Sequence, residues 1–123
     1  MLSALERLRL AAPGLNMLQA VALLYIAENP GISFSDLAAA SGAPLSTISR
    51  AARALLAAHC EDAIEPGYGL VEMSCHPHSS RLKQLRLSDV GLKLIHRLND
   101  DIAAARPVRP RTAVFPADSS ENI

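Results

Sequence analysis

Two groups of residues in this 123-residue chain are of types that do chemistry. His59, Cys60, Cys75, His76 and His78 are zinc-ligand types. If the strand that leads to Cys75 starts near Gly69, about six extended residues, or about 20 Å, separate the two ends of that set. No shared metal site is predicted. A neighbouring His could lower the pKa of either thiol and make it redox-active, or both thiols could be inert and partly buried. With no close-spaced Cys pair, no structural disulfide is expected.

The second group is hydroxylic and cationic. Ser46, Thr47, Ser49, Arg50 and Arg53 are followed by Arg81, Lys83 and Arg86. Short hydroxyls permit close approach to a nucleic-acid backbone or base edge, and guanidinium groups reach phosphate or guanine. The same hydroxyls could merely cap a helix and the arginines merely be solvated. The chain has no Gly-rich phosphate loop, nucleophile elbow or HExxH, so neither catalysis nor a cofactor is predicted.

The elements that must position these residues are mostly helices. A first helix is expected over 3–12, with Leu5, Leu8 and Ala12 on one apolar stripe, ended by Pro13-Gly14. Asn16 with Gln19 reads as a capping box for an apolar second helix reaching Glu28. Ile32 fits a minimal strand, and Ser33 with Asp36 starts a third helix to about Ala40. After Ser41-Gly42-Ala43-Pro44, a fourth helix is predicted over 45–58. Its inward face is Ile48, Ala52, Leu55, Leu56 and His59; Ser46, Ser49, Arg50, Arg53 and Ala57 face out. An acidic, turn-rich loop over 60–68 then precedes two strands, 70–73 and 81–88, joined through residues 76–80. Ser88 caps a last helix over 89–105, with Val90, Leu94 and Leu98 or Ile95 and Ile102 as apolar stripes suited to pairing with another chain.

The fold class that follows is mainly α with a small β-hairpin wing: helices, a short strand, a helix-turn-helix, a two-stranded wing and a C-terminal helix. The expected domain is 1–105, terminal dimerisation helices included, with a flexible Pro- and Arg-containing tail over 106–123. Arg106, Arg109 and Arg111 of that tail could track a DNA backbone or simply be solvated.

Composition constrains the reading further. Half of the residues are hydrophobic and aromatics are scarce, which favours helices over sheets. The longest apolar run, 17–27, falls short of a membrane span, and Glu6, Arg7 and Arg9 break any early secretory pattern, so no membrane partner and a cytoplasmic location are expected. Formal net charge is zero, so any nucleic-acid contact must come from local clustering. Arg50, Arg53, Arg81, Lys83 and Arg86 supply that cluster, against Glu61, Asp62, Glu65 and Glu72 between them.

Over residues 15–99 the chain resembles the MarR family of winged-helix regulators. The resemblance is carried by the helix over 15–29, Ser35-Asp36-Leu37-Ala38, Leu45-Ser46-Thr47-Ile48-Ser49-Arg50, Gly69-Leu70-Val71-Glu72, and Leu85-Arg86-Leu87-Ser88-Asp89-Val90-Gly91. It implies a dimer closed through the terminal helices, a recognition helix in the major groove and a wing on the minor groove. It also implies a cleft, bounded by the first, second and last helices, for a small aromatic effector. The family's Asp-x-Arg wing element falls on Ser79 and Arg81, so the Arg is kept and the bracing Asp is not. The 60–68 insertion and the short first helix are further departures.

The function expected is a cytoplasmic, homodimeric regulator of transcription, a repressor, on a palindromic double-stranded DNA operator. Its expected contacts are Ser33, Ser35, Leu45, Ser46, Thr47, Ser49, Arg50, Arg53, Ser79, Arg81 and Lys83. The alternative is a winged helix used for protein contact, with DNA binding weakened or lost.

Overall fold

The computed structural model describes residues 1–76 and 79–111, with side chains at 75–82 outside the description. In chain order the elements are α1 (Leu2–Ala11), α2 (Met17–Glu28), β1 (Ile32–Ser33), α3 (Phe34–Ser41), α4 (Leu45–Leu55), β2 (Val71–His76), β3 (Ser79–Leu87) and α5 (Asp89–Ala103). This is the expected mainly helical fold with a small antiparallel sheet.

Local chemistry sets most of the starts. Asn16 Oδ1 accepts from the Gln19 amide at 2.8 Å, and Gln19 Oε1 accepts from the Asn16 amide at 2.9 Å, closing the capping box of α2. Ser33 Oγ accepts from the Asp36 amide at 3.1 Å and Ser88 Oγ from the Gly91 amide at 3.0 Å, so α3 and α5 begin where sequence places them. The turn between α3 and α4 needs a left-handed residue, and Gly42 supplies it with φ +74°.

The three-stranded sheet has the order β1-β3-β2. Ile32 pairs with Leu85 across β1 and β3, and Val71 with Leu87 across β2 and β3. Leu23 and Ile26 from α2, Leu37 from α3, Ile48 and Leu55 from α4, Leu85 from β3, and Leu56 and Leu70 beside them form the dry centre. This core bonds the helix-turn-helix to the base of the wing.

Three expectations are corrected. In α1 the buried positions are Ala4 and Leu8, with Ala12 just beyond, while Leu5 is 51% exposed. Two small residues bring α1 close to its neighbours, and Leu5 is left on the rim. α4 ends at Leu55 rather than Ala58. Leu56 turns extended and bridges to Val71, and Ala57 bridges to Tyr68, because sheet-type pairing with the incoming chain replaces the last helical turn. His59, expected inward on a longer helix, is therefore exposed. Within α5, Gly91, Leu94 and Leu98 are buried, while Val90 and Ile102 of the expected apolar stripes are 61% and 60% exposed and lie open to solvent.

Candidate nucleic-acid interface

The first turns of α4 present Leu45, Ser46, Thr47 and Arg50 to solvent, with Ser49 half-buried beside them. Ile48, Ala51 and Ala52 hold the opposite face in the core. The residue before the helix is Pro44, and no side chain caps it; the Ile48 amide donates to the Pro44 carbonyl at 3.0 Å. The hydroxyls of Ser46 and Thr47 are thus not spent on capping and remain available as donors and acceptors. Ser33 differs, since its Oγ accepts the α3 cap bond; Ser35 is exposed on the first turn of α3.

The cations divide into engaged and open ones. Arg50 is exposed and forms no ion pair with any carboxylate among the described residues. Arg53 Nε donates to the Asp62 carbonyl at 2.7 Å. Lys83 Nζ lies 3.1 Å from Asp62 Oδ2, and Arg86 Nε lies 3.8 Å from Glu72 Oε1 across the wing strands. Ser79 and Arg81 fall on β3, in the stretch whose side chains are outside the described residues. The arrangement puts a hydroxylic, cationic helix face beside a two-stranded ribbon, with acids neutralising the ribbon's base.

Three residues matter here through contacts that were not anticipated from sequence. Asp62 contacts both α4 and β3; Tyr68 Oη donates to the Pro13 carbonyl at 2.7 Å, tying the loop to the α1–α2 turn. Gly91 sits so close to β2 that a Cβ there would meet the Leu70 carbonyl oxygen at 2.0 Å. Their contacts span 9 to 55 residues, or have no side chain to carry them, so no local pattern marks them.

Away from the α4 face, α1 and α5 are joined by Arg7 and Asp101, with Nε to Oδ2 at 2.6 Å and the second guanidinium nitrogen to Oδ1 at 3.3 Å. The hydrogen bond from Arg7 holds the Asp101 carboxyl below its ordinary range and raises Arg7 in turn. Alongside runs an apolar groove of about 560 Å³ lined by Leu5, Leu8, Leu24, Ile95, Leu98 and Ile102, between the same helices named for the effector cleft. Cys60 is a half-buried free thiol packed against the core. Among the described residues no three His, Cys, Asp or Glu side chains gather as a metal site requires.

A family model described as winged helix-turn-helix DNA-binding matches residues 22–59, from α2 through the end of α4. The fold is that of a winged helix-turn-helix domain, and within that class the chain is similar to MarR-family regulators. The crystal structure of MarR aligns with a TM-score of 0.51 at 26% identity, over 73% of this chain and 64% of that one. Streptococcus pneumoniae FabT in complex with DNA aligns with a TM-score of 0.57 at 19% identity, over 74% of this chain and 56% of that one. The S. aureus MepR-DNA complex gives a TM-score of 0.62 at 19% identity, over 80% and 72%. The chain therefore spans less than two thirds of the lengths of MarR and FabT. No curated protein matches it in sequence. No helix among the described residues is long and apolar enough to cross a membrane.

Proposed function

We propose that this chain is a cytoplasmic, homodimeric regulator of transcription of the MarR type, a repressor, that binds a palindromic operator in duplex DNA. The observation that carries the reading is the start of α4, where Ser46, Thr47 and Arg50 are exposed together and no hydroxyl is consumed by a cap. A helix of this width fits a major groove, and residues near its N-terminus reach base edges.

In this reading Leu45, Ser46, Thr47, Ser49 and Arg50 face bases and phosphates, Ser33 and Ser35 approach the backbone, and Arg53 and Lys83 serve phosphates. The wing over 69–88 lies along the minor groove, with Ser79 and Arg81 at its reach. One helix and one wing neutralise few phosphates, so a dimer on paired half-sites doubles the contacts. The exposed apolar residues Leu5, Leu24 and Ile102 of α1, α2 and α5 supply the dimer surface, and the groove between these helices takes the small aromatic effector. Residues 1–105 form the domain and 106–123 its tail.

A second reading, a winged helix used for protein contact, is favoured by the pairing of Lys83 and Arg86 with acids in a chain of zero net charge. Selection from a randomised duplex pool, followed by titration of the enriched sequence against salt, separates the two. An enriched palindrome bound with steep salt dependence supports the regulator; no enrichment at low salt turns the reading to the protein-contact module or to a form that binds DNA only with its effector.

A further inference from the structure

The 60–68 loop packs between the two elements that the DNA-binding reading brings to the duplex. The Asp62 carbonyl accepts from Arg53 Nε at 2.7 Å, and its carboxylate meets Lys83 Nζ at 3.1 Å. The Ile64 amide donates to the Arg53 carbonyl at 3.2 Å, fastening the loop to the last turn of α4. Arg53 lies one turn beyond Arg50 on α4, and Lys83 lies two residues along β3 from Arg81. A single acidic residue thus stands between recognition helix and wing, holding one cation from each.

We infer that Asp62 restrains DNA binding by standing in for a backbone phosphate at Lys83, an inference that rests on the DNA-binding reading. The side chains of Lys83 and Asp62 are 39% and 37% exposed, so their pair is solvent-screened and exchangeable rather than locked. A duplex phosphate can displace the carboxylate, but two losses reduce its gain. The Lys83–Asp62 pair must break, and the released Asp62 charge then faces a polyanion. In a chain with no net positive charge, one cation withheld in this way is a sizeable share of its phosphate-neutralising capacity. The loop sets affinity by how firmly Asp62 holds Lys83.

Asp62→Asn tests this, since it removes the charge while keeping the side-chain shape and the carbonyl that Arg53 uses. Affinity for the enriched duplex is measured against salt for the wild type, Asp62→Asn, Lys83→Gln and the double variant. Asp62→Asn should bind about threefold to tenfold tighter at low salt, with the log–log salt slope steeper by about 0.9, one added phosphate contact. Lys83→Gln should lower affinity less in the wild type than in the Asp62→Asn background, where it should abolish the gain. Asp62→Asn binding no tighter than the wild type overturns the inference, as does a gain that survives Lys83→Gln. Should Asp62→Asn fail to fold, Asp62→Ser, which also removes the charge and keeps the backbone carbonyl, is read in the same way: binding no tighter than the wild type overturns the inference. Wild-type binding without the Asp62 effect sinks only this inference, whereas no binding by any of the proteins sinks the DNA-binding reading with it.

Discussion

Ile48 and Arg50 stand two positions apart on α4, one with no exposed surface and the other open to solvent. Their substitutions should therefore fail in different ways. Arg50→Ala should weaken duplex binding by about 1–3 kcal/mol while leaving the thermal unfolding midpoint unchanged. Unaltered binding would remove Arg50 from the interface. Ile48→Asp places an unpaired charge in the dry centre and should abolish cooperative unfolding, seen by circular dichroism. Gly42 tests backbone shape alone. At φ +74° a Cβ would meet nothing within 4 Å, so Gly42→Ala should cost only the left-handed penalty, about 1–2 kcal/mol.

Among the elements, α5 depends on a single close approach. Gly91 lies against the Leu70 carbonyl, which also accepts from the Ser88 amide at 3.0 Å, so that oxygen cannot move aside freely. Gly91→Ala should lower stability by about 1–3 kcal/mol or more, read as a fall in the unfolding midpoint. The α1–α5 contact has a pH signature. Asp101 holds its proton less tightly in the folded chain than its ordinary value of 3.8 implies, so its contribution is complete above that value. It should fade as pH falls through the lower folded value, and wild type and Asp101→Asn should converge in stability there. Starts of elements were legible because each has a local cause: Asn16 with Gln19, Ser33 with Asp36, Gly42, Ser88. The end of α4 was not, since Leu56, Ala57 and Ala58 favour helix and only pairing with Val71 and Tyr68, distant in sequence, ends it. In α1, where Ala and Leu alternate among charges, nothing local decides that Ala4 rather than Leu5 faces inward. The bridging role of Asp62 was not legible because its partners Arg53 and Lys83 lie 9 and 21 residues away.

At the scale of the molecule, the helix-turn-helix and wing share one core, while α1 and α5 carry exposed apolar side chains along one side. Replacing Leu5 and Ile102 together by Glu should turn the proposed dimer into a folded monomer by size-exclusion chromatography and light scattering. Operator affinity should fall with it, because paired half-sites act as one ligand. A double variant that stays dimeric would place the contact elsewhere. The seat of Gly91 on Leu70 carries a mechanical consequence. It makes a fulcrum near one end of α5, and the twelve residues from there to Ala103 form a lever arm of about 18 Å. A tilt of about 10° at that fulcrum would swing the far end by about 3 Å and carry α1 with it through the Arg7–Asp101 contact. The spacing between two recognition helices in the proposed dimer would then be geared to α5 and α1 together, and a molecule wedged into the groove beside them would pry the pair out of step with the turn of the duplex.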